Sequence, residues 1–218
     1  MYSISQRNVL ELLPIKNTTI GNSMLNDLVA IAIAYLFGSL STAIIVCKIM
    51  KLPDPRSQGS GNPGATNVLR YGGKKVAIVT LLGDIAKCAI PVLLAKWAGL
   101  DETGLALVAF AAFLGHLYPV FFRFKGGKGV AAALGCWLAL AWTVGLLLLV
   151  TWLCIAIVTR YSSLAALVTA LIAPFYAWYF TNETFAIMTG CMSLFLIYRH
   201  AKNIQNLYKG KESRIGKK

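Results

Sequence analysis

Three short segments of this chain concentrate the residue types that can hold an anion. The first reads Gly59-Ser60-Gly61-Asn62-Pro63-Gly64-Ala65-Thr66-Asn67-Val68-Leu69-Arg70. Its closely spaced glycines allow close backbone approach and positive φ, and Pro63 stiffens the turn. Ser60, Asn62, Thr66 and Asn67 can each hydrogen-bond, and Arg70 offers a guanidinium fork suited to phosphate. Should Ala65–Arg70 open a helix, the backbone N–H groups of its first turn add to the site. The plainer alternative is a polar loop between two apolar segments, although such loops seldom pack glycine, amides and hydroxyls so tightly.

The second segment is Gly115-His116-Leu117-Tyr118-Pro119, followed by Phe124-Lys125-Gly126-Gly127-Lys128-Gly129-Val130-Ala131. A glycine-rich loop leading into a helix is a phosphate cradle by geometry, and Lys128 adds a point charge. The spacing is not that of a Walker A loop. His116 lies within an apolar segment, where a lone histidine is more often a hydrogen-bonded structural residue. The third segment is Tyr198-Arg199-His200-Ala201-Lys202-Asn203-Ile204, running on to Gly210-Lys211-Glu212. His200 and Asn203 share a helical face. With Arg199 they can orient a polar substrate, or the segment can be a basic anchor at lipid headgroups.

Several chemistries are set aside. No Cys/His grouping has metal-ligand spacing, and Cys47, Cys88, Cys136, Cys154 and Cys191 all lie in apolar stretches as packing residues. The His–Asp base dyad of many glycerolipid acyltransferases, with four residues between its members, is missing. At that spacing His116 meets Phe121 and His200 meets Gln205, and the chain has only 2 histidines.

Composition says where these segments sit. Charged residues make up 13% of the 218 and hydrophobic ones 57%, against the roughly 25% charged of a soluble domain. Mean hydropathy is positive. The chain reads as one integral membrane domain, and its net charge of +13 as lysine and arginine gathered in cytoplasmic loops rather than a nucleic-acid surface. Part of that charge can also attract anionic substrates or headgroups. Residues 1–23 are polar and mixed, do not form a convincing signal peptide, and read as an extension ahead of Met24. Residues 24–213 form the membrane domain and 214–218 a basic tail.

The apolar runs place spans at Asp27–Lys48, Val76–Trp97, Gly104–Phe122, Leu164–Phe180 and Thr184–Tyr198. Asp84 and Lys87, three apart in the second, share a face that must meet protein. They form either a structural ion pair or the lining of a polar cavity. The run Val130–Val158 is too long for one ordinary span. If it crosses twice, as two helices of about 14 residues with a turn near Trp142–Gly145, all three basic segments fall on one side. That arrangement gives an all-α protein with seven transmembrane helices, some short, the N-terminus outside and the C-terminus cytoplasmic.

Taken together the motifs resemble the bacterial acyl-phosphate:glycerol-3-phosphate acyltransferase family. The resemblance rests on Gly38-Ser39, Leu52-Pro53-Asp54-Pro55-Arg56, Gly59–Arg70, Gly115–Ala131, Tyr161-Ser162-Ser163-Leu164 and Arg199–Glu212. It implies a seven-helix enzyme of the bacterial inner membrane with its active site facing the cytoplasm. Such an enzyme transfers a fatty acyl group from acyl-phosphate to the 1-hydroxyl of glycerol 3-phosphate, without a cofactor, among membrane lipids. The products are lysophosphatidate and phosphate. Carried over by motif, Ser60 and Arg70 contact phosphate and hydroxyl groups, with Gly61, Asn62, Thr66 and Asn67 beside them. Lys128 and the Gly126–Gly127 backbone serve a phosphate. His200 and Asn203 position the glycerol phosphate, and Glu212 supports the tail structurally.

The residues themselves agree with that chemistry. Both substrates are anionic, so a site of Arg, Lys and backbone N–H groups suits them. Acyl-phosphate is already a mixed anhydride, so proximity and electrostatic stabilisation can suffice without an enzyme nucleophile. The competing reading is a transporter of a phosphorylated small molecule, with Asp84 and Lys87 lining its path. The absence of an internal repeat and the confinement of the motifs to one face weigh against it.

Overall fold

The computed structural model describes residues 17–216, with side chains from Met24 onward. Residues 1–16 of the expected extension and 217–218 of the expected tail lie outside the described residues, whereas residues 17–23 form the first turns of α1. Every regular element among the described residues is helical. In chain order they are α1 (Asn17–Gly38), α2 (Thr42–Ile49), α3 (Ala65–Trp97), α4 (Glu102–Leu117), α5 (Val130–Leu140), α6 (Trp142–Thr159), α7 (Ser162–Phe180), α8 (Glu183–Arg199) and α9 (Ala201–Tyr208), with single 3-10 turns at Pro55–Ser57 and Val120–Phe122.

The expected first span is broken. α1 and α2 meet at an angle of 42°, and the freed Leu40 carbonyl accepts from Lys87 Nζ at 2.7 Å. α3 does open at Ala65, eleven residues before the expected span at Val76. It kinks at Gly73 (φ 80°, ψ 176°), a conformation open to glycine because it has no Cβ. The polar first turns of α3 thus lie at an angle to its apolar remainder. The long apolar run splits, but not into equal halves near Trp142–Gly145. The break is at Ala141 (φ −147°, ψ 101°), leaving 11 residues in α5 and 18 in α6. Lys96 Nζ, from the end of α3, donates to Leu140 O at 3.2 Å and satisfies a carbonyl at the end of α5.

Among the described residues, the starts of α4 and α8 are set by side chains. Asp101 accepts from Gly104 N at 2.7 Å and Asn182 from Phe185 N at 3.1 Å, each satisfying one of the free amides of a helix first turn. Among the described residues, four segments are long and apolar enough to cross a membrane, namely 65–97, 102–122, 142–159 and 162–180, and the bent α1–α2 pair, counted as one span, makes a fifth. α5, at 11 residues, is only about 16 Å long.

α4 lies at the centre, packed against α1, α3, α5 and α8. The core is built of small residues around a few large ones: Ala109, Ala112, Ala132 and Cys136 enclose Phe113, Leu117 and Trp137. A Cβ on Gly38 or Gly115 would overlap the facing backbone at Ala112 or Tyr35, the close approach by which small residues let membrane helices associate. Outward, Trp97, Ile157, Val158, Phe175 and Leu194 are exposed, as lipid-facing side chains are. Cys47, Cys88 and Cys136 are buried, Cys154 and Cys191 lie on the exposed faces, and all are free thiols.

Candidate active site

The three polar segments meet at one end of the bundle. Thr66 Oγ1 lies 3.2 Å from Ser162 Oγ, Arg70 Nη2 donates to Ser213 Oγ at 2.6 Å, and Arg56 Nη1 donates to Phe122 O at 3.3 Å. Residues far apart in sequence are thereby gathered beside the first turns of α3, α5 and α7.

Asn67 organises the first loop. It is 2% exposed. Its Nδ2 donates to Pro55 O at 3.0 Å and Gln58 O at 2.9 Å, while its Oδ1 accepts from Ser60 N at 2.9 Å. The sequence suggested that this amide would meet substrate. Its hydrogen bonds are instead spent inside the protein, where they frame the loop that presents Ser60 and Gly61 outward. Gly61 has φ 72°, Ser60 is exposed on the loop, and Thr66 and Arg70 are exposed on the first turns of α3.

The second loop is clamped from both sides. Gly127 N donates to His116 O at 3.0 Å. Arg199 donates through Nη2 to Gly126 O at 2.8 Å and through Nε to Gly127 O at 3.2 Å, with its guanidinium 5.7 Å from the centre of the Tyr118 ring. The Gly127 amide, expected in a phosphate cradle, is therefore already committed to a carbonyl. Gly129, at φ 97° and against the Phe113 ring, turns the chain into α5 where a Cβ would not fit. The loop also carries the Lys128 ammonium, just ahead of α5, as a charge for an anion.

Lys128 joins the second segment to the third. Its Nζ donates to Asn203 Oδ1 at 2.6 Å. Asn203 Nδ2 donates to Glu212 Oε1 at 2.7 Å, and the same oxygen accepts from Ser163 Oγ at 2.7 Å. A lysine, an amide, a carboxylate and a serine from four parts of the chain thus form one line. Burial brings the Lys128 pKa down to about 8, against the opposing pull of the Glu212 carboxylate.

His200 is buried at the junction of α8 and α9. Its Nδ1 is 2.8 Å from Leu196 O. A carbonyl can only accept, so Nδ1 carries the hydrogen and Nε2 keeps its lone pair. Burial lowers its pKa to about 4, and the neighbouring Lys128 charge pushes the same way, so the ring is neutral at pH 7. Among the described residues no hydrogen bond joins the Ser60 hydroxyl to an imidazole.

Ser162, Ser163 and Ser213 carry contacts that residue type alone did not single out. The only sequence signal for the first two was the Tyr161-Ser162-Ser163-Leu164 match. A cleft of about 290 Å³ opens between the two glycine-rich loops, lined by Arg56, Gly61, Pro63, Phe124, Lys125, Gly126 and Arg199. The arrangement as a whole is a neutral imidazole and a hydrogen-bonded carboxylate set among several cations. It suits two anionic ligands held side by side.

Comparison with known proteins gives a consistent picture. The family described as glycerol-3-phosphate acyltransferase matches residues 28–210. A glycerol-3-phosphate acyltransferase of Janthinobacterium sp. (strain Marseille) is 59% identical over 190 residues, covering 85% of this chain and 94% of that one. The protein of the same description from Methylococcus capsulatus is 54% identical, covering 86% and 96%. Among solved structures, the integral membrane glycerol 3-phosphate acyltransferase PlsY (YgiH) in its glycerol 3-phosphate form superposes with a TM-score of 0.83 at 40% identity, covering 88% of this chain and 96% of that one. Its lysophosphatidic acid form gives 0.82 at 38%, with the same coverage.

Proposed function

The chain belongs to the glycerol-3-phosphate acyltransferase family and is an integral membrane acyltransferase; from that premise we propose that it moves a fatty acyl group from acyl-phosphate to the 1-hydroxyl of glycerol 3-phosphate, releasing lysophosphatidate and phosphate. The observation that carries this reading is the Lys128–Asn203–Glu212–Ser163 line beside the two glycine-rich loops. The related PlsY structures hold glycerol 3-phosphate in one form and lysophosphatidic acid in the other, and acceptor and product of the same kind suit this site.

In the proposed step the glycerol 1-hydroxyl oxygen attacks the acyl carbonyl carbon. The bond from that carbon to the phosphate oxygen breaks, and the departing phosphate takes the hydroxyl proton. Lys128 and Arg70 stabilise phosphate charge, with Ser60, Gly61, Asn62 and Thr66 completing the contacts of the first loop and Asn67 holding that loop in place. Asn203 and His200 orient the glycerol phosphate. A ring with a pKa of about 4 is a weak base, so His200 serves by accepting a hydrogen bond at Nε2. Glu212 holds Asn203 and ties the tail to α7. Purified protein given glycerol 3-phosphate with acyl-phosphate, acyl-CoA or acyl carrier protein should form product only with the first. Equal rates with an acyl thioester would remove acyl-phosphate as the defining donor.

The seven-span arrangement, with the N-terminus outside and the site facing the cytoplasm of a bacterial inner membrane, belongs to the same proposal. The clustering of basic segments at one end of the bundle supports it, as do the acidic starts of α4 and α8 at Glu102 and Glu183. In a cysteine-free background, single cysteines at the exposed Glu102 and Glu183 should react with an impermeant thiol reagent added outside, and one at Lys211 should not. Outside labelling of position 211 would overturn the topology.

A further inference from the structure

Asp84, Lys87 and His116 have no part in the chemistry proposed above, yet they form a buried polar cluster inside spanning helices. Asp84 is 2% exposed, and Lys87 and His116 6% each. Lys87 Nζ lies 2.8 Å from Asp84 Oδ1 and also donates to Leu40 O at the α1–α2 break. The same carboxylate oxygen faces His116 Nδ1 at 3.6 Å, longer than a hydrogen bond but close enough to bias the ring's orientation. A buried ion pair rarely adds stability over apolar residues of similar size, and ionisable groups within spans are costly enough to imply a task.

The other edge of the His116 ring indicates that task. A Cβ added to Gly127 would overlap His116 Nε2, with Cε1 and Cδ2 next nearest, so Gly127 rests directly on the imidazole. The His116 carbonyl holds the Gly127 amide as well. Arg199 closes the loop from the opposite side, and Lys128 is the next residue along the chain.

We infer that Asp84, Lys87 and His116 are positioning residues that seat the Gly126–Lys128 loop, the carboxylate orienting the imidazole and the imidazole supporting Gly127. The inference rests on the reading of Lys128 as a substrate-phosphate contact. It makes the polar break of the first span, through Leu40 and Lys87, the far anchor of an active-site loop.

The test is a double-mutant cycle on kcat/KM for glycerol 3-phosphate. His116→Ala, and separately the charge-neutral pair Asp84→Asn/Lys87→Met, should each lower it roughly tenfold or more, because a small displacement of a catalytic contact has that scale of effect. In a Lys128→Ala background the same changes should cost less than about twofold, since the contact they position is already gone. Gly127→Ala should also be impaired, and His116→Ala should partly restore it by vacating the space its methyl needs. Full additivity with Lys128→Ala, or no effect from the charge-neutral pair, overturns the inference while leaving the site reading intact. A Lys128→Ala enzyme of ordinary activity overturns both.

Discussion

Replacing Lys128 by alanine should lower kcat/KM for glycerol 3-phosphate by roughly 30- to 1,000-fold, corresponding to the loss of about 2–4 kcal/mol of charged hydrogen bonding in the transition state. Lys128 is the cation at the start of α5, and its Nζ is already held by Asn203, so its position costs the substrate little to organise. Arg70→Ala should fall in the same range, and Lys202→Ala, on the exposed face of α9, should cost little by comparison. Equal losses at all three would favour a diffuse electrostatic role.

The same lysine sets an expected pH dependence. Burial holds its pKa near 8 in the free protein, below the ordinary lysine value. The ammonium is therefore present below about 8 and lost as pH rises through it, so kcat/KM should decline on the alkaline side. Lys128→Arg, whose guanidinium stays protonated across that range, should move the decline upward or remove it, whatever its absolute rate. An unchanged alkaline limb in that variant would assign the titration to another group.

Asn67→Ala should lose activity by roughly a hundredfold and stability together, because the loop that carries Ser60 would shift. The substitution strands Pro55 O, Gln58 O and Ser60 N, which that amide now satisfies. An unsatisfied buried polar group costs about 1–3 kcal/mol. Thermal unfolding in detergent, read beside the kinetics, separates two roles. Falling activity with unchanged stability would mean that Asn67 touches substrate rather than framing the loop.

Asn67 also shows where reading the sequence stops. An amide in a glycine-rich loop has the same local signature whether it points outward to a ligand or inward to bare carbonyls. Only the path of residues 55–60 around it decides. Gly127 is similar: glycine-rich composition marked the loop, but not that its amide would be taken by His116 O. The break at Ser39–Ser41 was hidden within an apolar run, because its stabilising partner, Lys87, comes from another helix. The break at Ala141 has no glycine or proline to announce it.

What was legible followed from local chemistry. The polar opening of α3, the pairing of Asp84 with Lys87 on one helical face, and the convergence of basic segments all come from periodicity and charge. That Lys128, Asn203, Glu212 and Ser163 would line up was beyond such reading, because it depends on how α5, α7 and α9 dock.

In the proposed step the acyl group passes directly between two bound anions, with no acyl-enzyme. The most direct measurement is intact-protein mass spectrometry after incubating purified enzyme with labelled acyl-phosphate, first without glycerol 3-phosphate and then with it, each quenched in acid. Direct transfer predicts unmodified protein in both samples, and labelled lysophosphatidate with an equal amount of phosphate in the second alone. An acyl adduct on Ser60, formed without acceptor and discharged at the turnover rate when glycerol 3-phosphate is added, would contradict it.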